Sequence, residues 1–305
     1  MSWILLSLAC TGPSEDSGLP FDQPGWDDPD ARRWNRAGSW YPLDPEELDA
    51  EIQRYLDPVG ESRQPARAIL SPHARLISSG SVEAEAYARV EIPELCVLIV
   101  PNHSSGERVA IWPGGPWLTP GHAIETDDEA SARLQELLPE LIQDREAFDN
   151  HPAEMQLPFM QLDNPGTRVV VVSLRDTPDE HFEGFDVERI HAFGAGLANL
   201  LTEHPEALLL ISTDLTHYET VEKSAAQDAE LMRHIEALDV ESLYAYVIED
   251  EVSIGGEIAT AIGMSALASL GHTSWDFTTR GDSFHVNEDP EAVVGYPAGV
   301  MWRLP

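Results

Sequence analysis

The chain has 305 residues, 42% of them hydrophobic, enough to bury a substantial core. Its 54 acidic side chains against 18 Lys and Arg give a formal charge of −36, a field that repels phosphate backbones and anionic headgroups and argues against nucleic-acid binding. Lys223 is the sole lysine, and acidity of this kind suits adaptation to high salt, which bears on solubility and not on chemistry.

In chain order, the first segment is Trp3-Ile4-Leu5-Leu6-Ser7-Leu8-Ala9-Cys10, an apolar run ending in a small residue before cysteine. It resembles the tail of a bacterial lipoprotein signal peptide. On that reading residues 1–10 are the signal peptide, Cys10 carries lipid, and the protein is anchored in the cell envelope; a cytoplasmic protein is the alternative. The run is short against the usual ~7–15 residues, and no basic residue precedes it. Residues 11–32, rich in Gly, Pro, Ser and Asp, read as a flexible acidic tether. No later segment is long and apolar enough to span a bilayer.

The folded unit, residues 33–305, is expected to begin near Arg33. Asp44-Pro45-Glu46-Glu47 opens a helix, with Asp44 as N-cap and Pro45 at the first helical position, and Leu48, Ile52, Tyr55 and Leu56 form its buried face. Ala68-Ile69-Leu70 is an apolar strand running into Ser71-Pro72-His73-Ala74, and residues 81–90 read as the helix that crosses to the next strand. That strand, Val97-Leu98-Ile99-Val100, is a continuous apolar run of the kind buried on both faces, and it ends in Pro101-Asn102-His103. Cys96 lies inside it as an inert core thiol. Residues 108–126, dense in Pro, Gly and Trp, read as an irregular loop walling the pocket. Residues 127–143 are predicted helical. Thr167–Leu174 is a β-branched strand, and residues 187–203 form a helix. A strand at residues 207–211 runs into Ser212-Thr213-Asp214-Leu215-Thr216-His217. An amphipathic helix at 222–238 and a Gly/Ala-rich one at 255–270 complete the pattern. The alternation predicts one α/β domain with a central mixed, largely parallel sheet flanked by helices.

His73, His103 and His217 each follow a different apolar strand. Neighbouring strand ends of one sheet open onto one crevice, so the three are expected in one site. Asp214, His151, Glu154 and Glu257 add carboxylates and a further imidazole. That mixture suits Fe(II), Zn(II) or Cu(II), and two histidines with one carboxylate is a facial set typical of non-haem iron. No close-spaced H-x-x-x-H or C-x-x-C pair is present, so spacing alone signals metal only weakly, and taken singly each histidine is equally well read as a satisfied strand-end residue.

The segments Arg36-Ala37-Gly38-Ser39-Trp40-Tyr41-Pro42, Ser71-Pro72-His73-Ala74, Val100-Pro101-Asn102-His103, His151-Pro152-Ala153-Glu154-Met155-Gln156-Leu157-Pro158, Ser212-Thr213-Asp214-Leu215-Thr216-His217-Tyr218 and Val293-Val294-Gly295-Tyr296 together resemble the Memo-like family. Its prokaryotic members are the AmmeMemoRadiSam system protein B, and its fold is similar to that of class III extradiol dioxygenases. The resemblance implies that His73 and His103 are metal ligands. The family's third ligand is a cysteine followed by glycine, where this chain has Gly255; Glu257, two residues on, is the candidate replacement. A second departure is Arg75, where the family has glycine after His-Ala. The implied function is a non-haem-iron, dioxygenase-type oxidoreductase acting on an unknown small molecule. In it Asp214 orients His217 as acid and base, and Asn102, His151 and Glu154 line the pocket. The alternative is a non-catalytic metal- or ligand-binding envelope protein that has lost the cysteine ligand.

Overall fold

The structure is a computed structural model that describes residues 18–60, 62–175 and 181–304. The expected signal peptide and Cys10 lie outside the described residues. In chain order the elements are α1 (Pro45–Leu56), β1 (Ala66–Ser71), α2 (Leu76–Tyr87), β2 (Leu95–Asn102), β3 (Val109–Ile111), β4 (Trp117–Thr119), β5 (His122–Thr126), α3 (Asp128–Leu137), β6 (Ile142–Gln143), α4 (Pro152–Asp163), β7 (Arg168–Arg175), α5 (Val187–Glu203), β8 (Leu208–Ser212), β9 (His217–Glu219), α6 (Val221–Glu236), α7 (Val240–Glu249), α8 (Glu257–Ser269), β10 (Asp276–Asp282), α9 (Phe284–Asn287) and β11 (Val293–Trp302).

One mixed sheet runs β10-β11-β1-β8-β2-β7-β3-β6. Its centre is parallel, β1 pairing with β8, β8 with β2, and β2 with β7. β11 closes antiparallel on β1, and β3 antiparallel on β7. Side chains along the central strands alternate between two cores, one on each face. Val97, Ile99, Leu209 and Ile211 face the layer of α3, α5, α6, α7 and α8, whereas Cys96, Leu98, Leu208 and Leu210 face that of α1, α2 and α4. Burial on both faces is why these strands are continuous apolar runs. Cys96 is one of those core groups, its thiol pushed up to about 12 by burial, so it stays protonated and unreactive.

The capping signal at Asp44 acts as expected, and the structure adds a second cap at Asp186. Asp44 accepts from the Glu47 amide and starts α1, and Asp186 caps α5 through the Arg189 amide. Two glycines let α8 pack close, one against α5 and one against the sheet: a Cβ at Gly194 of α5 would meet Ser265 Oγ at 2.5 Å, and one at Gly263 of α8 would meet Ile211 Cδ1 of β8 at 2.2 Å.

Four expectations need correction. α2 starts at Leu76, five residues before the expected helix, because its N-cap, Arg75, makes no side-chain cap hydrogen bond and so leaves no capping signature. Residues 108–126 are not an irregular loop: they form β3 and the β4–β5 hairpin, with Trp112, Trp117 and Phe148 packed edge and face in the core. Of residues 127–143, the helix holds only Asp128–Leu137, and Ile142–Gln143 pairs with β3. Finally, much of the expected tether is docked. Gln23 and Arg32 are buried, Gln23 donates to the His122 carbonyl, and Phe21 and Trp26 both pack on Trp34. No helix among the described residues is long and apolar enough to cross a membrane.

Candidate metal centre

β1, β8 and β2 are adjacent and parallel, so the turns that leave them share one end of the sheet. His73 lies two residues past β1, His103 one residue past β2, and Asp214 two residues past β8. His151 arrives from a different element, the N-cap of α4. It makes no capping hydrogen bond there, which leaves its ring free for the pocket.

One ligand atom each of His73, His103 and His151 lie within 4.8 Å of one another. His103 Nε2 is 3.4 Å from His73 Nε2, and the ring centroids of the three are 5.4 to 5.7 Å apart. Two nitrogens bound at about 2.0–2.1 Å to one ion sit roughly 3.0–3.4 Å apart in octahedral or tetrahedral geometry, so this separation fits a small divalent ion. The protonation states fit as well. Desolvation, followed by repulsion from the other histidines, holds His73 well below the usual imidazole range. Desolvation and then His103 lower His151 to about 3, and desolvation and then His217 lower His103 to about 4. Three neutral imidazoles with ligand atoms this close could hold a metal ion. His103 is the solvent-exposed member of the three.

Behind His73 lies a buried polar chain. Tyr87 Oη donates to Gln156 Oε1, and Gln156 Nε2 donates to the Pro72 carbonyl at 2.7 Å and to Ser212 Oγ at 3.3 Å. Ser212 Oγ is 2.9 Å from His73 Nδ1. Were His73 to hold a metal through Nε2, its Nδ1–H would donate to Ser212, the outer support that ligating histidines ordinarily have.

Asp214 accepts the His73 amide proton at 2.9 Å, and its other oxygen lies 3.8 Å from His73 Nε2. Burial pushes its carboxyl up to about 7, the amide bond opposing. It does not orient His217. That ring is held by the Leu215 carbonyl, which accepts from Nδ1 at 2.9 Å, while its backbone amide donates to Ser253 Oγ; the turn between Asp214 and His217 directs Asp214 back to β1. His217 stays neutral, lowered by desolvation against the Leu215 bond, and its Nε2 makes no hydrogen bond among the described residues. Its ring occupies the room a side chain at position 255 would need: a Cβ on Gly255 would meet His217 Cε1 at 2.8 Å.

The remaining expected residues have other places. Glu257 is not brought to the histidines: its carboxylate accepts from the Phe182 amide and lies 2.8 Å from His181 Nδ1. Glu154, fully buried, is taken up by Arg32, the Asn35 and Arg36 amides and the Tyr41 hydroxyl, which anchors residues 32–41 onto α4. Asn102 shapes the turn that carries His103: its Oδ1 accepts from the Ser104 amide and hydroxyl, both at 2.8 Å. Gln156 and Ser212 were not singled out from sequence. Buried polar side chains facing a strand exit are their signal, and it is visible only once the fold is known.

The sequence matches the family model described as Memo-like protein over residues 32–300. A MEMO1 family protein of Aquifex aeolicus is 31% identical over 266 residues, covering 85% of this chain and 95% of that one. One from Thermotoga neapolitana is 31% identical over 281 residues, covering 87% and 97%. One from Aeropyrum pernix is 31% identical over 282 residues, covering 86% and 96%. A solved structure of an uncharacterized protein, JW3007, from Escherichia coli K12 aligns with a TM-score of 0.49 and 13% identity over 75% of this chain and 98% of that one, too loose a likeness to bear on the site.

Proposed function

The chain belongs to the Memo-like protein family, and on that premise we propose that His73, His103 and His151 hold a divalent metal, Fe(II) foremost, in an oxidoreductase site of the extradiol-dioxygenase type that acts on a small molecule. The observation that carries the metal reading is the convergence of three neutral imidazole nitrogens within 4.8 Å. Imidazole ligation suits Fe, Zn and Cu, and among the described residues the one cysteine, Cys96, is buried within β2 and not in the cluster. When bound, the metal supplies Lewis-acid polarisation of a substrate oxygen and, as iron, access to dioxygen chemistry.

The chain's own groups do the rest. His217, its Nδ1–H held by the Leu215 carbonyl, presents Nε2 as a proton acceptor for a substrate hydroxyl and returns the proton afterwards. Asp214 fixes the backbone of His73 through its amide. Gln156 and Ser212 fix its ring. A second reading, metal binding without turnover, is favoured by Gly255, since the family places its cysteine ligand there and Glu257 is engaged elsewhere.

Elemental analysis and calorimetric titration with Fe(II), Zn(II) and Cu(II) test the site. One ion per chain is expected, lost in His73→Ala, His103→Ala and His151→Ala and retained in Glu257→Ala. A wild type that takes up no metal, or a Glu257→Ala variant that loses it while His151→Ala does not, overturns this ligand set. Oxygen consumption by the Fe(II)-loaded protein with catechol-type substrates then separates turnover from binding alone.

A further inference from the structure

We infer that the histidine pocket selects a small organic anion, and that Arg36 and Arg75 recognise its charged group. This rests on the reading of that pocket as a substrate site.

In a chain with 54 acidic and 18 basic side chains, an arginine near the surface ordinarily finds a carboxylate. Arg145 pairs with Asp30, Arg189 with Glu140 and Arg280 with Asp228. Among the described residues Arg36 and Arg75 pair with none. Both guanidiniums lie over the ring of Trp40, with Cζ 4.7 Å and 5.8 Å from its centroid, and the Arg36 Nε is buried without a hydrogen-bond partner. Trp40 in turn lies against His151, centroid to centroid 4.4 Å. The two cations are therefore one aromatic ring away from the ligand cluster.

Their surroundings leave the charge unneutralised. Arg75 sits two residues after His73, at the start of α2, whose first turn holds no acidic residue. Glu154, which accepts the backbone amide of Arg36, is already engaged by Arg32, the Asn35 amide and Tyr41. Arg36 is near enough to His151 to contribute to keeping it neutral. Stacking on Trp40 holds the guanidiniums without satisfying their N–H donors, and a guanidinium fork matches a carboxylate or phosphate in two-point geometry. Arg33, Arg67 and Arg175 likewise form no ion pair with a carboxylate among the described residues, but only Arg36 and Arg75 share one ring, Trp40, that itself lies against His151; an anion repelled by the acidic molecule as a whole is attracted there.

The test uses the full chain loaded with Zn(II), with benzoate, phenyl phosphate and benzyl alcohol as probes, followed by calorimetry and tryptophan fluorescence at low salt. An anionic probe is expected to bind at least about tenfold tighter than benzyl alcohol, and whether benzoate or phenyl phosphate is preferred identifies the headgroup. Arg36→Gln and Arg75→Gln should each remove most of that preference while leaving Zn(II) stoichiometry and benzyl alcohol binding unchanged. Equal binding of charged and neutral probes, or a preference that survives both substitutions, overturns the inference. If the wild type takes up no Zn(II), the metal reading fails, and the same comparison on the metal-free protein still decides whether these arginines recognise an anion.

Discussion

His151 enters the pocket as the one ligand candidate that does not follow a strand, and its environment gives it a measurable signature. Its pKa falls from 6.5 to about 3, chiefly through desolvation and then through His103 and the nearby Arg36 and Arg32. Below pH 6.5 the unfolded chain therefore binds a proton at this position that the folded chain refuses. With more protons on the unfolded state, stability rises with pH, so this group costs stability progressively as pH drops from 6.5 toward 3. In the metal-free protein, His151→Gln should gain in melting temperature relative to wild type as pH is lowered from 7 to 5, measured by scanning calorimetry at fixed salt. Parallel curves would mean the ring is better solvated than its surroundings imply. Buried Glu83 has the opposite sign. Its carboxyl is raised well above its ordinary value by desolvation, with Ser79 opposing, and its Oε2 lacks a partner, so it costs stability above the normal glutamate range, not below it.

At the scale of elements, the site depends on how closely α8 lies on the sheet, because the turn before α8 brings Gly255 against Asp214 and His217. Gly263 permits that approach. A methyl group there would meet Ile211 Cδ1 at 2.2 Å and Ile99 Cδ1 at 3.3 Å. Gly263→Ala gains helix propensity of about 1 kcal/mol but overpacks a core with no free volume at a cost of about 1–3 kcal/mol. The expected outcome is net destabilisation by denaturant titration, together with weaker metal binding. An unchanged midpoint would show that Ile211 can turn away without penalty. On the other face, Glu154 links α4, and with it His151, to residues 32–41 through Arg32, two backbone amides and Tyr41.

For the whole molecule, a formal charge of −36 on 305 residues means self-repulsion that the compact state bears more heavily than the unfolded one. Most of these charges are exposed, where the screening length shrinks from about 10 Å at 0.1 M salt to about 3 Å at 1 M. The melting temperature should therefore rise steadily between 0.1 and 2 M NaCl. A flat profile would show that the ion pairs already distributed over the surface offset the repulsion.

By itself the sequence determined the doubly covered sheet, because only strands buried on both faces are continuous Val, Ile and Leu runs. It also determined the cap of α1, and the histidines at strand exits, since a buried run must end in turn residues that reach the surface. It did not reveal β3, β4 and β5, whose three to five residues are shorter than any periodicity can register. Nor did it reveal the start of α2, which has no capping side chain. The partners of the candidate ligands were decided by tertiary structure alone. Glu154 and Glu257 look equivalent to ligating carboxylates along the chain, yet each is satisfied by donors more than seventy residues away. Asp214 turns toward His73 instead of His217 because the path of the backbone after β8, and not the three-residue spacing, sets where its oxygens point. Which polar group a carboxylate meets is a property of folded space, and spacing along the chain carries no information about it.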